Sequence, residues 1–279
     1  MSPSWPCLEE NWSYLEVGIS EGASRVFECK SVAPVRIINP RVTASSCHVL
    51  VTNYGGGMVD GDSVCLEVVC REGAHLSVGS VGNLQVYKSP IKGCSQALKG
   101  FLENKTLCVV KPDPVVLHSG SRFKQKQEWN VQQESSLLVS DWVVAGRLAI
   151  GERFTFDEYL SDFTVLIDGH PLIVDRFEFR PDHLDYRDPA LFSTLACLLN
   201  VYLVGRRWAP LEERLAQGIR ERRNSDPQTL ASIHGVRQRG YIFRALSTDR
   251  RYLAWATDTI YEFIAQKDYL GFNPAERKY

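Results

Sequence analysis

Between residues 24 and about 180, apolar side chains recur at every second position in short runs separated by glycine, proline, asparagine and serine. Alternation of this kind sets one face of an extended chain in a core and the other in water. Across 63–70, Val64, Leu66, Val68 and Cys70 share a face. Across 123–131, Phe123, Trp129 and Val131 share a face with Gln125 and Gln127, while Arg122, Lys124, Lys126, Glu128 and Asn130 take the wet side. Runs at 24–30, 34–39, 47–53, 135–144, 152–160, 163–168 and 171–179 extend the pattern to about a dozen strands. No helical period separates them, which argues against a βαβ architecture. Residues 1–22 show little periodicity and are expected to be partly loose.

Beyond residue 180 the period changes. Leu191, Leu195, Leu198, Leu199 and Tyr202 follow Asp188-Pro189, a pair suited to a helix start, and predict a first helix. A second is predicted over about 210–223, with Leu211, Leu215 and Ile219 inward, and a third over about 252–266, with Leu253, Ala256, Ile260 and Phe263 inward. Residues 233–246 read as two more strands. Tyr252, Trp255 and Tyr261 are candidates for exposed aromatic contacts on the tail. No low-complexity linker and no internal sequence repeat is found. The expected organisation is one domain over 1–279: a mainly β core at 24–180 and a mixed, mostly helical part at 181–279.

Composition narrows the function classes. The chain has 279 residues, 44% of them hydrophobic and 23% charged, as in ordinary globular proteins. Its 32 Lys and Arg are balanced by 33 Asp and Glu, so the basic excess of a dedicated nucleic-acid binder is missing. No apolar run approaches a membrane span, and the N-terminal residues lack a signal peptide's charged and apolar regions; the expectation is a cytoplasmic protein. The eight cysteines, at 7, 29, 47, 65, 70, 94, 108 and 197, form no Cys-x-x-Cys and are expected to be mostly small buried hydrophobes. The six histidines are never spaced as a zinc pair.

Three stretches carry candidate chemistry. Tyr54-Gly55-Gly56-Gly57-Met58-Val59-Asp60-Gly61-Asp62 packs four glycines and two aspartates between two strands. It is either a turn that needs small residues or a carboxylate-bearing turn at a functional opening. It is not a phosphate loop or an EF-hand, whose required positions are absent. Lys111-Pro112-Asp113-Pro114 ends one strand and enters the next. In the third stretch, Gly146-Arg147 and Gly151-Glu152 follow Asp141, and Arg147 could pair with Asp141 or Glu152.

Taken in order, Gly55-Gly56-Gly57-Met58-Val59-Asp60-Gly61-Asp62, Val86-Tyr87-Lys88-Ser89, Pro112-Asp113-Pro114 and Gly146-Arg147 with Gly151-Glu152-Arg153-Phe154 resemble the UreD (UreH) family of urease accessory proteins over roughly residues 24–180. The chain departs from the family's threonine–glutamine–alanine run at 79–85, where it reads Gly79-Ser80-Val81-Gly82-Asn83-Leu84-Gln85. The resemblance implies a β-helix-like stack of short strands and a protein that is not an enzyme. It also implies binding to UreF-type and UreG-type accessory proteins and to apo-urease, with nickel passing through an internal channel and no tightly bound cofactor. On that reading Asp62 and Asp141 line the channel, Asp60 and Glu152 are further acids near it, and Arg147 with Glu152 holds a turn. Gly55, Gly56, Gly57, Gly61, Tyr87, Pro112, Pro114, Gly146, Arg147 and Gly151 shape the frame. Two rival readings are a hydrolase using Asp62 and Asp141 as a carboxylate pair and a β scaffold without metal traffic.

Overall fold

The computed structural model describes residues 12–223, 226 and 228–277. Expectations for residues 1–11, Cys7 among them, lie outside the described residues. Strands β1 (Ser13–Ser20), β2 (Ala23–Lys30), β3 (Val35–Ile38) and β4 (Cys47–Asn53) open the fold. Then come β5 (Gly57–Met58), β6 (Ser63–Cys70), β7 (His75–Ser80), β8 (Leu84–Val86), β9 (Cys94–Leu102), β10 (Leu107–Val110) and β11 (Val115–Leu117). The stack continues through β12 (Arg122–Val131), β13 (Ser136–Val144), β14 (Glu158–Ile167) and β15 (His170–Phe179). It ends with β16 (Cys197–Val204), α1 (Ala209–Arg222), β17 (Thr229–Val236), β18 (Gly240–Ser247) and α2 (Ala254–Ile264).

The fold is a β-solenoid of two facing sheets. The first has the order β15-β14-β12-β9-β6-β1-β2 and the second β17-β18-β16-β13-β10-β7-β4-β3. Within the stack, β6, β9, β12 and β14 run parallel, as do β4, β7, β10 and β13. Each coil crosses from the first sheet to the second through a tight turn at 71–74, 103–106 or 132–135. These turns stack on one another: Arg71 N donates to Val17 O, Glu103 N to Cys70 O and Gln132 N to Leu102 O, at 2.8–3.0 Å. The return segments at the opposite end are longer and carry β5, β8 and β11, which form a narrow parallel strip joined to β13. We call the two ends the short-turn end and the long-loop end. The backbone therefore repeats although no sequence repeat exists, because a coil needs only alternating inward positions and a turn.

Register lines up the inward residues in layers. Across the first sheet Cys70, Leu102, Val131 and Ile167 form one row, then Val68, Gly100, Trp129 and Val165, then Leu66, Leu98, Gln127 and Phe163. The next row is Val64, Gln96, Gln125 and Ser161. The expected inward face of β12 is found as read, with Phe123, Gln125, Trp129 and Val131 buried.

Several expectations are corrected. Residues 13–20, expected to be loose, form β1, paired in parallel with β6. Residues 152–157 are not strand; β14 is continuous from Glu158 to Ile167. The helix expected over 191–202 is turn and then β16, antiparallel to β13 with all eight residues buried. The leucine spacing misled because β16 is covered on both faces, which erases the period of two. One face meets the lumen through Tyr202 and Val204; the other meets α1 and α2 through Leu199, Val201 and Leu203. The second helix is found almost as predicted. The third begins at Ala254, after a 3-10 turn over Arg250–Leu253. Its aromatics are not all free. Tyr252 is exposed, but Trp255 lies against Phe243 and beneath Arg222, and Tyr261 lies beneath Lys111.

Candidate functional site

The layers divide the space between the sheets into two parts. Toward the short-turn end it is filled by Leu76, Leu102, Cys108, Trp129, Val131 and Leu137, each at most 1% exposed. The Trp129 indole lies over Gly100, where an added Cβ would sit 1.9 Å from the ring. Toward the long-loop end two rows bring polar side chains among the apolar ones and border a cavity of about 380 Å³, beyond which Cys94, Phe123 and Tyr159 are buried in a second apolar cluster.

Gln96, Gln125 and Gln127 reach this cavity from the first sheet, and Asp141 from the second. Its rim is Gly56, Gly57, residues 79–84 and Pro112-Asp113. Two separate sequence motifs and the segment that departs from the family pattern thus meet at one opening. Gly57 belongs there for a steric reason: a Cβ would lie 2.5 Å from Gln85 O and 2.7 Å from the Tyr87 ring. Ser80 Oγ donates to Asp113 Oδ2 at 2.9 Å and accepts from Asp113 N at 2.7 Å, tying two rim segments together. Pro114 O accepts from Leu84 N at 3.0 Å, and the Tyr87 ring packs edge-on against His118 at 5.0 Å.

Asp141 sits on β13 in an inward row with Asn200 of β16 and Arg244 of β18. Burial pushes its carboxyl up to about 6; a hydrogen bond from Gln125 pulls the other way and the nearby Asp175 charge adds to the rise. Asp175 accepts from Tyr202 Oη at 2.8 Å and from Arg244 Nη2 at 2.5 Å. Burial, and then the charges of Asp141 and Asp175, hold the Tyr202 phenol well above its ordinary value. Gln125 Nε2 donates to Ser161 Oγ at 3.3 Å. A polar seam therefore crosses the lumen from Ser80 and Asp113, past Gln125 and Asp141, to Asp175 and Arg244. Arg244 is partly open to solvent, with 37% of its side chain exposed. Two polar atoms of this region, Gln127 Oε1 and Asn200 Oδ1, are buried without a hydrogen-bond partner among the described residues.

The other predicted acids lie outside this cavity. Asp60 Oδ1 accepts from Lys92 N and Gly93 N at 2.9 Å each. Desolvation opposes it, but these backbone donors keep the Asp60 carboxyl below its ordinary value. Asp62 Oδ2 accepts from Val59 N at 2.8 Å, closing its own turn, and faces a separate pocket of about 180 Å³ with Cys94 and Lys92. Asp62 and Asp141 thus form no carboxylate pair. Glu152 is gripped at both oxygens by Arg147, whose guanidinium holds the carboxyl down to about 2. Of the two partners open to Arg147 in the sequence, Glu152 is the one it takes. Gly56, Gly61, Gly146 and Gly151 all adopt positive φ, as the turns they shape require, and Gly55 is exposed beside Gly56.

Among the described residues no three His, Cys, Asp or Glu side chains converge as a metal site. Of the eight cysteines, 47, 70, 94, 108 and 197 are free and buried, and Cys29 is free and exposed. No helix among the described residues is long and apolar enough to cross a membrane. Sequence reading missed Gln96, Asp175, Tyr202 and Arg244. The glutamines on the apolar face of β12 were the visible signal for a polar lumen; nothing in the chain linked Asp175 to Arg244, 69 residues apart.

Comparison with known proteins agrees with the motif resemblance. The family model described as UreD urease accessory protein matches residues 13–278. A urease accessory protein UreD of Cytophaga hutchinsonii is 31% identical over 276 residues, covering 95% of this chain and 96% of its own length. One from Sorangium cellulosum is 29% identical over 249 residues, 88% of this chain and 77% of that protein. Urease accessory protein D of Arabidopsis thaliana is 34% identical over 160 residues, 55% of this chain and 54% of its own.

Proposed function

The chain belongs to the UreD family of urease accessory proteins, and from that premise we propose that it carries nickel toward the urease active site through the polar part of its lumen. Membership gives it a role in urease maturation, as an accessory factor and not a catalyst. The finer reading is that it does so in complex with UreF-type and UreG-type accessory proteins and with apo-urease. The nickel is cargo and not a resident cofactor. The observation that carries this reading is the cavity of about 380 Å³ lined by three glutamines and Asp141.

A passage must bind its ion weakly enough to release it, which favours carboxylate, carboxamide and water ligands over thiolates. Asp141 supplies one ionisable oxygen pair there, and its upward-shifted carboxyl remains mostly charged at neutral pH. The amides of Gln96, Gln125 and Gln127 add neutral oxygens without adding binding charge. Asp60, Asp62 and Glu152 serve the turns that frame the long-loop end, since each is already engaged by backbone or by arginine.

The test is activation of urease in cells lacking their own copy of this gene, with nickel limiting. Asp141→Leu places an apolar group in the polar stretch, and such constrictions resist ion transit. It is expected to abolish most activation while still co-purifying with accessory partners and apo-urease. Full activation by this variant in an intact complex would overturn the reading. Nickel binding by the isolated chain is expected no tighter than roughly micromolar by calorimetry.

A further inference from the structure

An open groove at the short-turn end lies away from the lumen and from every motif discussed above. It has a volume of about 580 Å³ and is walled by Gln133, Ser135, Ser136, Arg206, Arg207 and Arg239. Three chain segments build it: the turn between β12 and β13, the start of the helical layer after β16, and the hairpin turn between β17 and β18. Gly205 N donates to Arg239 O at 2.8 Å, which fixes the third arginine beside the first two. Arg207 is held from behind, with its guanidinium 5.8 Å from the Tyr269 ring and its carbonyl accepting from Tyr269 Oη at 3.0 Å.

What sets these arginines apart is that three without a carboxylate partner meet around one groove. Arg71, Arg147, Arg180 and Arg244 each have a carboxylate within 4.0 Å. Among the described residues Arg206, Arg207 and Arg239 have none, although Glu134 shares the wall. Arg207 Nη1 is buried without a hydrogen-bond partner among the described residues. Its uncompensated charge reaches His75, where burial and then Arg207 hold the imidazole below its ordinary value. In a chain of net charge −1, three unneutralised arginines around one groove form a local positive well.

We infer that this groove binds a carboxylate-rich segment of a protein partner. Guanidinium forks suit paired carboxylate oxygens, and the glutamine and serine walls supply further hydrogen-bonding groups for a peptide. The groove is far larger than a single small anion needs and has no aromatic face on which a base could stack. The inference is independent of nickel passage.

Fluorescein-labelled hexaglutamate is the probe, titrated with the full chain and followed by anisotropy. Binding is expected at low salt and should weaken as salt rises. Each lost charge-assisted contact is worth roughly tenfold in affinity, so Arg206→Glu with Arg239→Glu should weaken binding at least tenfold. Gln133→Glu, which leaves the arginines in place, should weaken it in the same direction, and circular dichroism checks that both variants fold. No binding of hexaglutamate, or binding indifferent to both variants, overturns the inference. So does failure of hexaglutamate together with saturable binding of inorganic phosphate, which would reassign the groove to phosphate groups.

Discussion

The same strands build two unlike halves of one lumen. Strand β12 contributes Trp129 and Val131 to the packed half and Gln125 and Gln127 to the open half, all on one face. Close packing near the short-turn end provides the apolar burial that holds the two sheets together. That support lets the other half carry polar groups and a cavity that a small fold could not otherwise tolerate. Close packing and the polar-lined cavity are therefore separated along the same strands.

The largest expected effect comes from opening the packed half. Trp129 is fully buried, so Trp129→Ala should cost about 3–5 kcal/mol in urea denaturation, by lost burial plus the void it leaves. A loss well below that would mean the two halves are less different than their packing indicates.

Next is the charge in the open half. Folded Asp141 keeps its proton up to about pH 6, whereas in the unfolded chain it is released near its ordinary value of 3.8. Between those values the folded state binds more protons, so Asp141 lowers stability as pH rises through that window and imposes its full penalty above it. Asp141→Asn removes the penalty. It should be more stable than the parent by about 2–3 kcal/mol at pH 7, with the gap closing toward pH 4. A gap that grows on acidification would refute this account. The same variant should still impair nickel-limited activation, separating stability from passage.

A smaller effect is expected from Gln127→Leu, which replaces a buried acceptor without a partner by an apolar group of similar size. A gain of about 1 kcal/mol is expected, at the expense of a narrower, drier cavity. The smallest change should come from Glu152→Gln at the long-loop surface. Arg147 is half-exposed, and pairs of that kind contribute little in water. Its denaturation midpoint and its urease activation should both stay near the parent's.

Much of the solenoid was legible because one physical rule, alternation, operates strand by strand. The inward faces of β6 and β12 and the helix α1 could be read directly from residue periods. Strand β16 could not: its two faces are covered by different layers, so burial is continuous and the leucines imitate a helix. Strand β1 was also missed: it lies between its hairpin partner β2 and β6, and nothing local announces the parallel pairing with β6 some fifty residues on.

The same division applies to the site. Glycine and proline fix turns locally, so the sequence by itself determined that 54–62, 111–114 and 146–152 are shaped segments, and it placed two glutamines on an apolar strand face. Which acid meets the lumen was decided only by the tertiary structure. Asp62 and Asp141 look alike in the chain, but a carboxylate's role depends on what surrounds it. Asp62 is claimed by Val59 N, one turn away. Asp141 is set by strand register against Gln125 and Asp175, partners that only the stacking of coils brings near.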